Sequence, residues 1–483
     1  MSLISVPFLI LIILGLIVYY DTIHIIYRNV EGEHQWKVLL ILNIIFYAWA
    51  RPLNLVFIFI SIVTTWFLTR NPTKTHVIIT IVINLGILIV FRYSIFFGIH
   101  DLIVPLGISF YTFMTIGYAL DCYDKKIKPS DNILHYALFI FYFPQITEGP
   151  IGTYESMLPR LLARHDFDIV HIKEGGYRII KGLFKKLVIA GRLAFYVDTV
   201  FAAPEGYGGL TLIVAVFFYA IELYADFSGY MDIACGISWM FGIELKENFN
   251  RPYFSRNIPE YWRRWHISLN EWFTAHLFMP AVTAKWNKKA AKAVGKIFPK
   301  AKKGTLRTIL PTILVWVTTG IWHGAEAVYL GWGIYFAVIM LLSFCTTSYM
   351  KGLRKRIHWN DENRLIRIFQ TLRTFIIVCL GEVMFRAETL SDAGVIYKKI
   401  FTKTRLSGSA IAAALVPFGN GNQAAASVII VILLLAGLFT VELLQETTEG
   451  AFKKHRYFYA GALLVITALF GVAGQSNFMY QAF

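Results

Sequence analysis

Long apolar runs alternate with short polar or basic segments along the whole chain. Most runs approach the roughly 20 residues that a helix needs to cross a bilayer. An open sheet would leave backbone hydrogen-bonding groups unsatisfied in lipid, so the pattern predicts helices. Because some runs are long enough for two passes or for one pass and a re-entrant turn, we expect about 10–13 crossings. The runs cover 3–20, 38–69, 76–97, 102–122, 133–147, 177–202, 208–242, 306–347, 367–386, 408–441 and 457–474.

Composition supports the same class. Of the 483 residues, 57% are hydrophobic and 16% are charged, whereas a soluble domain carries about 45–50% apolar and about 25% charged residues. Too few polar side chains remain to cover a water-soluble fold, which excludes a soluble multidomain enzyme. The four cysteines show no CxxC spacing, so we predict neither a disulfide framework nor a metal site.

Lysine and arginine outnumber aspartate and glutamate by 46 to 30, which gives a net charge of +16. The basic residues form short clusters between apolar runs, as the positive-inside rule produces at a cytoplasmic face, rather than a nucleic-acid surface. No lysine or arginine precedes the first run, and no small-residue cleavage site follows it, whereas Arg28 and Lys37 come after it. We therefore expect an uncleaved first helix with its N-terminus outside.

Two polar segments interrupt the pattern. The first, 246–280, combines tryptophan with arginine and is expected at the headgroup level or in a pocket that opens from it. The second, 285–307, is expected to be a solvated cytoplasmic loop near anionic lipid, with a docking surface for an acidic donor or carrier as the alternative. Its lysines include Lys288, Lys289, Lys292, Lys296, Lys300, Lys302 and Lys303.

Polar groups within apolar runs are the first candidates for chemistry, because they are costly in a bilayer. His323 lies in Gly320-Ile321-Trp322-His323-Gly324, where glycine lets backbone or a ligand approach closely. His266 lies one segment earlier. Imidazole titrates near neutral pH, so the pair suits proton transfer. Taken singly, His323 also fits a packing role and His266 an interfacial belt.

Three carboxylates form the next constellation. Glu222 and Asp226 are four residues apart and share a helix face, and Asp232 follows a glycine. We expect ion pairs that shape a pocket, rather than direct catalysis. The candidate partners are Arg251, Arg263 and Arg264. A proton or ion path through Glu222, Asp226 and Glu382 would instead make the protein a transporter or flippase without acyl chemistry.

Seven blocks, in order between about residues 90 and 390, resemble the membrane-bound O-acyltransferase (MBOAT) superfamily. They are most similar to its bacterial branch for alginate, peptidoglycan and cellulose O-acetylation and for D-alanylation of lipoteichoic acid. The blocks are Pro-Leu-Gly-Ile-Ser-Phe-Tyr at 105–111, Phe-Pro-Gln at 143–145 with Gly-Pro-Ile at 149–151, Asp-Phe-Ser-Gly-Tyr at 226–230, Glu-Asn-Phe-Asn-Arg-Pro-Tyr at 247–253, Tyr-Trp-Arg-Arg-Trp-His-Ile-Ser-Leu at 261–269, Trp-His-Gly at 322–324 and Phe-Arg-Ala at 385–387.

The resemblance implies an all-α polytopic membrane protein in which tilted, re-entrant and interfacial helices surround a central tunnel. It implies one integral membrane domain over 1–483, with a catalytic core at about 90–390. By the same resemblance, His323 is the catalytic histidine and His266 the second active-site histidine. The expected substrate-binding residues are Trp322, Trp265, Arg263, Arg264, Asn250, Asp226, Ser228 and Tyr230.

The chain departs from the family pattern after His266. Many relatives continue with an Arg/Lys-Asp-Tyr triplet, whereas here Asn-Glu-Trp-Phe at 270–273 leads to His276. The aspartate is missing, so its role does not carry over. His276 is either a local replacement or has no role.

The implied activity is transfer of an acyl group, acetyl by preference, from a cytoplasmic thioester across the membrane to an extracellular polysaccharide. Acetyl-CoA or a phosphopantetheine carrier would be the donor, with no bound cofactor. The acceptor would be the polymer or a periplasmic or extracellular partner transferase, and the location a bacterial cytoplasmic membrane. The alternative is D-alanyl transfer from a carrier protein to lipoteichoic acid, which the further spans after 385–387 disfavour.

A hydroxyl is a poor nucleophile at neutral pH, so its attack on a thioester requires a positioned base. We expect neutral His323 to be that base. We expect His266 to orient the acceptor or to donate a hydrogen bond to the developing oxyanion. A covalent acyl-histidine or acyl-serine relay fits the same residues.

Overall fold

In the computed structural model, the described residues form α-helices joined by short turns, and no strand occurs among them. The structure describes residues 5–25, 35–50, 52–94, 98–99, 104–297, 303–419, 421–447 and 449–472. Within these ranges, five helices are long and apolar enough to cross a membrane. They are Lys74–Arg92, Gly209–Met240, Gly304–His323, Ala327–Thr346 and Arg364–Arg386. The predicted all-α polytopic membrane architecture is confirmed.

Four helices begin the chain: α1 (Val6–Ile25), α2 (Gln35–Ala50), α3 (Asn54–Thr69) and α4 (Lys74–Arg92). The apolar run 38–69 divides into α2 and α3 around Pro52. Proline cannot donate the amide hydrogen that a continuous helix would need. One apolar run therefore supplies two helices.

The next segment folds back on itself as α5 (Ile108–Tyr123), α6 (Ile133–Phe141), α7 (Phe143–Ile146) and α8 (Tyr154–Leu162). Gly107 precedes α5 with φ +68° and packs directly against the carbonyl of Ile146. A side chain there would be strained and would also collide with that carbonyl. The turn after α7 therefore packs tightly against the start of α5.

The centre of the protein consists of α9 (Ile169–Leu183), a π-helical turn (Phe184–Ala190), α10 (Gly191–Phe201) and α11 (Gly209–Met240). Helix α11 is buried along most of its length. It crosses α9 at glycines, because a Cβ atom on Gly182 would lie 2.5 Å from the carbonyl oxygen of Gly229. The two backbones thus touch without side chains between them.

The polar segment 246–280 forms an irregular stretch followed by α12 (Ile258–Arg264), α13 (Ile267–Phe273), a second π-helical turn (Thr274–Phe278) and α14 (Met279–Thr283). The expected loop at 285–307 is instead largely helical, with α15 over Lys285–Ile297. Helix α15 packs through buried Ala291 against Leu306 and Ile309, and its lysines are exposed. Lys300 and Lys302 lie outside the described residues.

The predicted run 306–347 divides at Gly324 into α16 (Lys303–His323) and α17 (Ala327–Arg356). Helix α18 (Arg364–Arg386) follows and packs on both α17 and α11. The chain continues as α19 (Leu390–Thr402), α20 (Gly408–Leu415), α21 (Gly421–Thr447) and α22 (Glu449–Phe470). Helices α11, α16, α17 and α18 carry much of the site described below.

Candidate active site

His323 is the last residue of α16, and its side chain is only 4% exposed. Its ring packs 5.1 Å from the ring of Trp332 and 4.9 Å from that of Phe385, measured between centroids. The Arg92 guanidinium donates a hydrogen bond to the His323 carbonyl. The end of α4 thereby holds the end of α16 in place.

The glycines beside His323 serve helix packing. A Cβ atom on Gly320 would lie 2.6 Å from the carbonyl oxygen of Tyr329, and one on Gly324 would collide with the Tyr329 ring. The close approach that the glycine pattern predicted is therefore that of α17, which brings Trp332 to the imidazole.

His266 joins α12 to α13 in the left-handed backbone region, with φ +45°, and is 5% exposed. Two backbone hydrogen bonds hold this bend: Ile267 donates to Asn248 at 3.0 Å, and Asn250 donates to Arg264 at 2.9 Å. The segment around Asn248 therefore runs beside His266 and determines its position. Burial lowers the pKa of His266 to about 3, so the ring is neutral at pH 7.

The proton on His266 is located by the neighbouring amide. Asn248 Oδ1 accepts hydrogen bonds from the backbone N–H and the hydroxyl of Ser268, both at 2.9 Å. A backbone N–H only donates, so this Asn248 atom is oxygen. The amide nitrogen then lies 3.2 Å from His266 Nδ1 and donates to it, while Oδ1 lies farther away at 3.4 Å. The neutral ring consequently carries its proton on Nε2 and is a hydrogen-bond donor there.

Both histidines line one cavity of about 60 Å³. Its walls are mainly aromatic, and Glu382 of α18 also lines it. His266 Nε2 and one Glu382 carboxyl oxygen, Oε2, are both buried without a hydrogen-bond partner among the described residues. The cavity, called the histidine cavity below, therefore has polar groups that a small polar ligand would satisfy.

A second cavity, of about 790 Å³, lies beside the first and is called the large cavity below. Asn248 lines it and hydrogen-bonds to His266, so the two cavities are adjacent at this pair. Arg178, Lys181 and Lys185 also line it and converge on Asp232, at 3.2, 3.2 and 3.0 Å.

The described ion pairs of Asp226 and Asp232 involve lysines and Arg178, and not the arginines that we expected. Asp232 binds the cations just named, and Asp226 pairs with Lys186. The π-helical turn Phe184–Ala190 directs consecutive lysines inward, which a regular α-helix does not do. Arg264 binds Glu260 at 2.8 Å, and Arg263 is exposed. For Asp232, the prediction of Arg251, Arg263 or Arg264 as the partner was therefore wrong, because residues of α9 and of the π-helical turn take that place.

The structure separates the predicted substrate-binding residues into three groups. Trp265 lines the histidine cavity, and Trp322, which lines neither cavity, lies beside His323 in a tilted contact with 4.6 Å between ring centroids. Asn250 and Ser228 line the large cavity. The remaining four, which line neither cavity, are Arg263, Arg264, Asp226 and Tyr230. Their assignment stays a prediction.

His276 lies in the second π-helical turn and contacts Asp121 of α5, with 3.1 Å between Nε2 and Oδ1. It lines neither cavity. In the structure, this contact connects α5 to the segment that follows α13. Among the described residues, no group of three or more His, Cys, Asp or Glu is placed to hold a metal ion.

Sequence reasoning overlooked Asn248 and weighed Glu382 only as part of an ion path. A carboxyl group within the apolar run 367–386 was a visible signal for Glu382. Asn248 carried no comparable signal, because its importance depends on Ser268 and His266, which lie some twenty residues later.

Comparison with known proteins identifies the family. The model of the MBOAT, membrane-bound O-acyltransferase family, matches residues 123–294, which include His266. The probable alginate O-acetylase AlgI of Pseudomonas syringae pv. tomato is 30% identical over 402 residues, covering 78% of this chain and 70% of that protein. The chain belongs to the membrane-bound O-acyltransferase family. It is an integral multi-pass membrane O-acyltransferase, which removes the transporter alternative.

Two further relatives show how broad this part of the family is. The peptidoglycan O-acetyltransferase of Helicobacter pylori is 29% identical over 412 residues, covering 76% of this chain and 73% of that protein. The teichoic acid D-alanyltransferase of Bacillus subtilis is 29% identical over 299 residues, covering 60% of this chain and 70% of that protein. The relatives thus include both acetyl and D-alanyl transferases.

Proposed function

We propose that this acyltransferase moves an acetyl group from a cytoplasmic thioester to a hydroxyl of an extracellular polysaccharide, in a bacterial cytoplasmic membrane. The observation that carries the proposal is the pair of buried histidines lining one small cavity beside a large charged one. Acetyl is preferred over D-alanyl because the similarity to the acetylating relatives covers 76–78% of the chain, against 60% for the D-alanyltransferase of Bacillus subtilis.

The reaction divides between the two histidines. His323 removes the proton from the acceptor hydroxyl as its oxygen attacks the thioester carbonyl, a step worth on the order of 10²–10⁴ in rate. His266 donates its Nε2 proton in a hydrogen bond to the developing oxyanion. The carbon–sulfur bond then breaks, and the leaving thiolate receives the proton from His323. The products are the ester and the free thiol, with no net change of protons.

The large cavity would hold the donor, which is a substrate and not a resident cofactor. Its volume of about 790 Å³ is that of a typical ligand site. Arg178, Lys181 and Lys185 follow one face of α9 and its continuation into the π-helical turn, and they line the cavity. Cations in this position would bind phosphate groups of coenzyme A or of a phosphopantetheine arm.

The decisive experiment is acetyl transfer from radiolabelled acetyl-CoA by protein in proteoliposomes containing an acceptor polysaccharide. We expect His323→Ala to reduce transfer by at least about 10²-fold, because it removes the base. His135→Ala is the matched control, since His135 lines neither cavity. Near-normal transfer by His323→Ala would overturn the proposal. Label held covalently on the wild-type protein would indicate the acyl-enzyme relay instead of direct transfer.

A further inference from the structure

Glu382 has no place in the mechanism above, although it lines the histidine cavity. Its side chain is 2% exposed, and its Oε2 atom has no hydrogen-bond partner among the described residues. It lies one helical turn before Phe385, which packs against His323. Helix α18 thus directs a carboxyl group into the same enclosed space as both histidines.

A buried carboxyl group without a partner is expensive, so it indicates a ligand that would satisfy it. The residues that line the histidine cavity include no lysine or arginine. A polar group of a substrate that enters the cavity would satisfy this oxygen. The volume of about 60 Å³ leaves room for small polar groups such as hydroxyls.

We propose that the histidine cavity binds a vicinal diol of the acceptor, with Glu382 holding the hydroxyl next to the one that is acylated. The proposal rests on the acyl transfer proposed above and adds the substrate class. One hydroxyl gives its proton to His323 and attacks the thioester. Its neighbour hydrogen-bonds to Glu382, which fixes the angle at which the reacting oxygen approaches.

A hydroxyl suits this position better than the ammonium group of an aminoacyl donor. An ammonium group would require an ionised carboxylate, and burying both ions costs several kcal/mol of desolvation per ion, which their mutual attraction must offset. A hydroxyl both donates and accepts, so it satisfies the carboxyl group in either protonation state. The chemistry of the cavity therefore favours a polyol acceptor over a charged acyl group.

The test compares propane-1,2-diol with propan-1-ol as acceptors for radiolabelled acetyl-CoA in proteoliposomes. We expect the wild type to prefer the diol in kcat/KM by about 10- to 100-fold, the usual discrimination when a buried polar group loses its partner. Glu382→Leu should bring this ratio close to one by lowering transfer to the diol alone. Glu382→Gln keeps an accepting oxygen and should keep part of the preference.

Thr374→Val is the matched control, because Thr374 is a buried polar residue of α18 that lines neither cavity. It should leave the ratio unchanged. Equal losses with both alcohols in Glu382→Leu, or a wild type without preference, would overturn the diol site. A loss that appears only with an aminoacyl donor would assign Glu382 to the acyl group instead. Absence of any acetyl transfer by the wild type, to polymer or alcohol, would contradict the proposed function itself.

Discussion

Asn248 determines what His266 can do. Because Ser268 orients the Asn248 amide, His266 Nδ1 accepts a hydrogen bond and Nε2 carries the proton into the histidine cavity. In the proposed mechanism, His266 therefore donates to the oxyanion, which leaves the role of base to His323. The proposed functions of the two histidines thus differ because their neighbours differ.

Asn248→Asp tests this assignment. A carboxylate beside Nδ1 can only accept, so the proton would move to Nδ1 and Nε2 would lose its donor function. We expect kcat for acetyl transfer to fall by about 10²-fold, the usual effect of losing one oxyanion donor.

His266→Gln provides the control, because its amide N–H does not depend on a tautomer. In that background, Asn248→Asp should have little further effect, as a double-mutant cycle would show. Equal effects of Asn248→Asp in both backgrounds would contradict the tautomer argument and indicate a general structural role.

Among the helices, the contact between α9 and α11 positions the large cavity. Arg178 and Lys181 come from α9, and Asp232 comes from α11. The helices approach closely because glycines face each other, and a Cβ atom on Gly175 would lie 2.5 Å from the Gly236 carbonyl oxygen. The separation of these helices therefore determines the distances between the charged groups.

Adjacent glycines of α9 give opposite predictions. Gly175→Ala should separate the helices and destabilise the protein by about 1–3 kcal/mol, as overpacking does. A Cβ atom on Gly176 would meet no neighbouring side chain or helix within 4 Å. Gly176→Ala should therefore be neutral or slightly stabilising, since alanine favours a helix. Thermal unfolding in detergent measures both. Equal unfolding temperatures for the two variants would contradict this account of the crossing.

For the molecule as a whole, basic residues gather at one end of the helices. Helix α15, the start of α16 and the end of α17 lie at this end, because α16 and α17 are antiparallel neighbours. Exposed lysines of α15 and exposed Lys355 and Arg356 at the end of α17 thus lie on the same side. The positive-inside rule predicts that this side faces the cytoplasm.

Side-specific labelling tests the orientation. In a Cys345→Ser background, which removes the exposed cysteine, Lys292→Cys should react with a membrane-impermeant maleimide only from the cytoplasmic side. Cys345→Ser without a new cysteine is the control for background reaction. Labelling from the outside would reverse the orientation and, with it, the proposed direction of transfer.

The sequence by itself determined the membrane class, the helical architecture and the identity of the two histidines. Hydrophobic run lengths and short motifs are local properties that need no knowledge of distant contacts. The division of the run 38–69 at Pro52 is also a local effect, because it depends on the proline alone. The helix over 285–297 was not predicted, because its many lysines suggested a loop, whereas its apolar face packs against α16 and stabilises it.

Only the tertiary structure decided which groups meet. His266, His323 and Glu382 are separated by about 60 residues at each step along the chain, yet they line one cavity. The Asp232 partners and the tautomer of His266 also depend on such contacts. The type of each residue limits the interactions that it can make. Which of these interactions form depends on burial and on how the helices pack, because packing brings distant residues into contact.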